Sequence, residues 1–165
     1  MICKSCGKEI GNDSKFCPLC GAKQVTVYRQ DFVRNGLSEE SFIESINQWL
    51  RENPKAANIK ATIEIDTGFG LLANKYQLNR FTVNYELFRN ENTNQYALVK
   101  EESLGLINKS AKEFVEEWKQ SHPDWKVVTW RGGTHARGSS ASLLLNGIGA
   151  RNRTEAYILY KFPRK

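Results

Sequence analysis

The first residues that could do chemistry are four cysteines: Cys3-Lys-Ser-Cys6, a ten-residue spacer, then Cys17-Pro-Leu-Cys20. Two CxxC pairs at this separation are the spacing of a tetrahedral zinc site, each pair forming a tight knuckle whose thiolates converge on one ion. Gly7 and Gly21 follow the knuckles, where the backbone must turn sharply and a positive φ is needed. About 23 residues cannot bury enough apolar surface to fold alone, whereas structural zinc supplies on the order of 10 kcal/mol or more. Lys4, Lys8, Lys15 and Lys23 can offset the charge of four thiolates on one Zn²⁺, with Ile10 and Phe16 expected as a miniature core. Two disulfides, a redox CxxC and an open catalytic zinc all fit this short, all-cysteine segment less well.

The stretch Cys3-x-x-Cys6-Gly7-x-x-Ile10, continued by Phe16-Cys17-Pro18-x-Cys20-Gly21, resembles the short zinc ribbon at the N-termini of many bacterial proteins. The resemblance covers residues 1–23. It implies one structural zinc, held by Cys3, Cys6, Cys17 and Cys20, beside an unrelated domain.

A second chemical feature lies near the other end. Residues 131–165 hold Arg131, Arg137, Arg151, Arg153, Lys161, Arg164 and Lys165 against Glu155 alone, an excess equal to the +6 net charge of all 165 residues. Arg131-Gly-Gly-Thr-His135-Ala-Arg137-Gly-Ser-Ser140 reads as a loop able to offer guanidinium groups, hydroxyls and backbone N–H groups to a phosphate. Arg131, His135, Arg137, Arg151 and Arg153 are therefore the candidate ligand-binding residues. The partner they suit is a protein or an anionic macromolecule, with nucleic acid the alternative; Trp130, Tyr157 and Tyr160 lie nearby. A hydrolase pairing His135 with Ser139 or Ser140 lacks a visible orienting acid and oxyanion hole, although Glu64 or Asp66 could approach in space. Phosphate-loop, HExxH and GxSxG motifs are missing, and Gly147-Ile-Gly149 lacks a third glycine. The expectation is a binding protein, not an enzyme.

The elements that must carry these residues follow from periodicity. Ser38 caps a helix with Glu39 and Glu40 in its first turn, an apolar face of Phe42, Ile43, Ile46, Trp49 and Leu50, and Pro54 as its stop. Ser110-Ala-Lys-Glu113 is a capping box opening a second helix with Ala111, Phe114, Val115 and Trp118, ended near His122-Pro123, where the histidine suits a structural role. Strands are expected at 62–66, 81–88, from Tyr96, at 125–130 and 156–162, with a short one at Val25–Val27. A shift of 72 residues places Ser38 on Ser110, Phe42 on Phe114, Leu71-Leu72-x-Asn74 on Leu143-Leu144-x-Asn146, and Tyr85 on Tyr157. Each half then reads β-α-β-β, with loops at about 67–77 and 131–153.

The expected architecture is α+β: a zinc ribbon over 1–23, then a domain over 24–165 with possible halves 24–93 and 94–165. One mainly antiparallel sheet would carry both amphipathic helices. The longest apolar run, Ala156 to Tyr160, is far too short to span a bilayer, and Lys4, Ser5, Lys8, Glu9 and Asn12 break any secretory apolar segment. A cytoplasmic protein is expected. The oligomeric state is not legible.

Overall fold

The computed structural model describes all residues except 4, 12, 13, 25, 69–74, 89, 106–108, 138–150 and 165. After the cysteine segment come β1 (Val27–Val33), α1 (Glu39–Glu52), β2 (Ala56–Gly68), β3 (Lys75–Leu87), β4 (Asn94–Gly105), α2 (Ala111–Ser121), β5 (Lys126–Arg137) and β6 (Arg151–Pro163). The α+β class stands, but the single expected sheet is two three-stranded antiparallel sheets, ordered β1-β3-β2 and β4-β6-β5. The strands are also longer than alternation suggested. Arg131–Arg137 and Arg151–Arg153 are paired strand, not loop, and so are Thr67–Gly68 and Lys75–Gln77. Val25 and the matched segments 71–74 and 143–146 lie outside the described residues.

Local sequence sets both helices. The Ser38 side chain accepts the Ser41 N–H at 3.1 Å, and Asn53 closes α1 by donating its N–H and its side-chain amide to the Trp49 carbonyl. At α2 the capping box is complete: Glu113 N–H donates to Ser110 Oγ and Ser110 N–H to the Glu113 carboxylate. His122 ends α2 as a structural residue, with Nδ1 2.9 Å from the Trp118 carbonyl and its ring stacked on Trp118 and Trp125.

The 72-residue shift carries over to strand pairing. Val27↔Glu86 falls on Val99↔Ile158, Phe32↔Phe81 on Leu104↔Arg153, and Thr62↔Thr82 on Thr134↔Thr154. Helix placement does not follow the shift. Phe42, Ile46 and Leu50 of α1 share one core with Leu78, Phe81 and Val83 of the first sheet and Leu98, Tyr157 and Leu159 of the second. Val115 and Trp118 of α2 pack with Ala156 and Ile158, on the other face of the second sheet. Phe81 and Val83 correspond by the shift to Arg153 and Glu155, which point away from α2. The second sheet is thus covered on both faces, and the two helices share no face. This replaces the expectation that both pack on one sheet.

One contact fixes α1 against the edge of that sheet. Asn47 donates to the Leu98 carbonyl at 2.9 Å and accepts the Leu98 N–H at 2.7 Å. Its side-chain amide stands in for a neighbouring strand on β4, an edge strand whose outward backbone groups would otherwise be buried without partners.

Candidate functional site

The cysteine segment is built from two copies of one turn, related by a shift of 14 residues. Cys3 and Cys17 donate their N–H groups to the Lys8 and Ala22 carbonyls, both at 2.8 Å. Gly7 and Gly21 donate back to the Cys3 and Cys17 carbonyls at 2.9 and 2.8 Å. Both glycines have φ 70°, a conformation a side chain would strain. Single β-bridges, Ile2↔Glu9 and Phe16↔Lys23, flank the knuckles.

These turns bring the four sulfurs within 4.8 Å of one another. The Cys3–Cys20 and Cys6–Cys17 separations are 3.7 and 3.6 Å. A regular tetrahedron with Zn–S bonds of about 2.3 Å requires sulfurs about 3.8 Å apart. The spacing is far beyond the roughly 2.05 Å of a disulfide. With four thiolate donors in that geometry, no coordination position is left for a substrate. Without metal the thiols compete for protons. The Cys6 amide draws Cys3 down to about 6, whereas at Cys6 the pull of the Lys8 amide is outweighed by Cys20, burial and the other thiols, pushing it to about 12. Metal binding resolves this by deprotonating all four.

A family model for a zinc-ribbon domain matches residues 2–24. This segment is a zinc ribbon. Searches of curated proteins and of solved structures find no match. The ribbon's core corrects one expectation: Ile10 is buried with Cys3, Cys17 and Ala22, but Phe16 is 59% exposed. The repeat explains why, since Phe16 is the counterpart of Ile2, and both side chains lie on the outer side of their bridges. Sequence reasoning also missed Gln24, whose side chain donates to Cys3 Sγ at 3.2 Å and to the Ala22 carbonyl at 3.0 Å.

The candidate ligand-binding residues are placed differently from an open basic loop. His135 pairs with Arg153 across β5 and β6 and, with Arg131, lies on one face of the second sheet; Arg137 and Arg151 are paired along the backbone at the outer end of the same two strands. That face turns toward α1 and the first sheet. The deeper residues are engaged there. Arg153 Nη2 lies 2.5 Å from Glu102 and 3.1 Å from Glu155. The His135 ring lies against Tyr76, tilted by 33° with ring centroids 3.9 Å apart, and its Nε2 is 4.0 Å from Glu155. Arg131 is exposed. The tip of the hairpin, with Ser139, Ser140 and Gly147-Ile-Gly149, lies outside the described residues. Glu64 and Asp66 are exposed, and Glu64 faces Arg80; the acid beside His135 is Glu155.

Glu155, with no exposed surface, is the centre of an ionic network that the sequence reading did not find. Lys100 Nζ reaches Glu39 at 2.6 Å, Glu155 at 3.2 Å and Glu102 at 3.3 Å. Glu155 also accepts the Tyr76 N–H at 2.8 Å. The Tyr157 hydroxyl bonds to Glu39 and to the Tyr76 carbonyl, and the Leu78 N–H donates to Glu39 at 3.0 Å. Burial opposes ionisation of Glu39 and Glu102, but Lys100 and Tyr157 at the first and Arg153 and Lys100 at the second hold both below the ordinary carboxylate range. Burial likewise works against Lys100, and Glu39 and Glu155 outweigh it and raise its pKa. The arrangement is an ionised clamp between two sheets. Gly133 makes room for it, because a Cβ there would meet the Tyr76 ring at 2.2 Å; on the opposite face a Cβ on Gly132 would meet the β6 backbone, the Glu155 carbonyl at 2.3 Å. Glycine in this strand marks close approach.

The aromatics near the basic residues are used internally. Tyr157 is buried, Trp130 packs beside α2, and Tyr160 stacks on Trp125 at 4.6 Å.

Proposed function

We propose that this is a non-enzymatic, zinc-stabilised binding protein whose β5–β6 hairpin grips an anionic partner. The observation that carries the reading is the pairing Arg137↔Arg151. Like charges directly opposite on a sheet are unfavourable unless a counter-charge joins them. An acidic peptide segment or a nucleic-acid backbone supplies that charge, and arginine suits either through bidentate contacts. Glu102 and Glu155 already neutralise Arg153, whereas Arg131 is exposed to a ligand. The internal use of Trp130, Tyr157 and Tyr160 favours charge contacts over base stacking. The ribbon acts as a rigid cap or docking knob on a domain spanning 24–165, and its thiolates suit a reducing, cytoplasmic setting.

We infer further that the halves 24–93 and 94–165 derive from one duplicated β-α-β-β unit. Shared caps and shared strand register support this, with the helix carried to opposite faces in the two copies.

The test is to replace Arg137 and Arg151 by alanine, singly and together, and measure binding to RNA, DNA and acidic peptides at two salt concentrations. Each charge-assisted contact is worth about 1.5–3 kcal/mol, so each loss should weaken binding roughly tenfold to hundredfold. Steep weakening of RNA or DNA binding with salt supports a nucleic-acid partner, and salt-independent binding argues for a protein or apolar ligand. A wild type that binds none of these probes, or a double variant that binds as tightly, ends the proposal.

A further inference from the structure

β1 is the outer strand of the first sheet, pairing only with β3 among the described residues. Arg34 N–H donates to the Asn79 carbonyl at 3.0 Å, the position next to Val33↔Arg80 in the same register. By the alternation of an antiparallel ladder, Tyr28, Gln30 and Phe32 also direct their backbone groups at β3. Those of Val27, Arg29, Asp31 and Val33 therefore point to the open edge. In agreement, no strand meets these groups among the described residues: the Asp31 carbonyl accepts the Gln30 side chain at 3.1 Å, and at the strand's end the Val33 carbonyl accepts the Asn35 N–H at 2.9 Å. Nothing in this strand guards the edge: it has no proline, and its charges, Arg29 and Asp31, cancel in a pair with each other.

The strand reads Val27-Tyr-Arg-Gln-Asp-Phe-Val33, a chemical palindrome about Gln30. We propose that β1 is a self-association edge whose occupant is β1 of a second copy, paired antiparallel about Gln30 to make one continuous six-stranded sheet. In that register every outward residue meets an outward residue. Val27 faces Val33 of the second copy, Tyr28 faces Phe32, and Arg29 faces Asp31, twice over by symmetry. Opposite residues lie on the same face, so the Arg29–Asp31 pair now closed within one strand is exchanged for two pairs between copies. Val27, Tyr28 and Val33, each at least 41% exposed, gain apolar neighbours. A slip by one residue would set inward-pointing groups against outward ones, so the backbone and the side chains select the same register.

Sedimentation of the full, zinc-loaded chain across micromolar to submillimolar concentrations tests this, with R29D and D31R as variants. Wild type should dimerise. Each variant alone should bind itself at least tenfold more weakly, because both charge pairs become repulsive. Mixed together they should restore the dimer, since the acidic pair of one then faces the basic pair of the other. Hydrogen exchange of wild type gives a readout free of mutation: protection of the Arg29, Asp31 and Val33 amides should rise with concentration, while that of Gln30 and Phe32 stays constant. A wild type monomeric throughout, a dimer indifferent to either reversal, a mixture that stays monomeric, or outward amides unaffected by concentration would each overturn the proposal.

Discussion

Replacing Asn47 by alanine tests how the two sheets are held together. Asn47 makes two hydrogen bonds, both to the backbone of Leu98, a residue 2% exposed. Removing the amide leaves one N–H and one C=O on a covered strand edge, each costing about 1–3 kcal/mol if unsatisfied. Alanine returns roughly 0.5 kcal/mol through its higher helix propensity. The net loss should be about 1.5–5.5 kcal/mol, a large share of the 5–15 kcal/mol typical of a domain. For a chain of this size each kcal/mol lowers the melting temperature by about 2–4 °C. Asn47→Asp sharpens the test, because it keeps an acceptor for the Leu98 N–H but sets a carboxylate against the Leu98 carbonyl. It should cost at least as much as alanine. Glu44→Ala is the control, since its pair with Arg51 is solvent-exposed and worth under about 1 kcal/mol. Urea unfolding gives the magnitudes, and hydrogen exchange gives the location: the Leu98 amide should lose protection while that of Val99, paired with Ile158, keeps it. If Asn47→Ala shifts stability by less than about 0.5 kcal/mol, or Leu98 stays protected, the edge is closed by something other than Asn47.

Two further outcomes follow from the metal centre and the clamp. Purified protein should carry one zinc per chain, and Cys17→Ser should release it and unfold the ribbon while the two sheets retain their far-UV signature; metal-free protein with two disulfides by mass spectrometry would contradict the site. Glu39 and Glu102 are held below their ordinary range, as are Asp31, through Arg29 and Thr82, and Glu113, through Ser110. Their stabilisation is complete above the unfolded carboxylate value of about 4.3 and is lost as pH falls through the lower folded values. Urea midpoints should therefore drop on acidification, less steeply in Glu39→Gln; identical slopes would remove Glu39 from the account.

The signals legible in the sequence were short-range or periodic. Ser38, Ser110 and Glu113 announce their helices because a cap acts within one turn. The cysteine spacing announces the metal because a knuckle closes within a few residues. The 72-residue shift also anticipated the strand register, since pairing repeats when turn and strand lengths repeat. The number of sheets was not legible, because it depends on which distant strands meet and no local residue records that. The Gly132-Gly133 pair misled for a related reason. Glycine signals a breaker when read along the chain, but here Gly133 admits Tyr76 from the other sheet and Gly132 lies tight against β6.

The ionic clamp escaped notice through a conflict between two rules. In β6, Arg153, Glu155, Tyr157 and Leu159 share one parity, and in β4 Leu98, Lys100 and Glu102 do the same. Leucine at one end of each row says that the row faces inward, and charge at the other says that it faces water. For a sheet covered on one side only, charge would win. This sheet has α2 on one face and α1 with the first sheet on the other, so neither parity leads to solvent. The charged ends of both rows must then face one another, and among the described residues His135 Nε2, Arg153 Nε and Glu155 Oε1 are buried there without a hydrogen bond. Glu155 meets Lys100 and Arg153, Glu39 arrives from the first turn of α1, and Tyr76 and Leu78 contribute backbone N–H groups from β3. Three carboxyl groups thus face Lys100 and Arg153, with His135 Nε2 4.0 Å from Glu155. The network also draws on neutral donors, the Tyr157 hydroxyl and the β3 amides, so both sheets must be in place for it to close. A row that joins a buried leucine at one end to charge at the other marks this middle layer, and it locates the seam between the two sheets at Glu155.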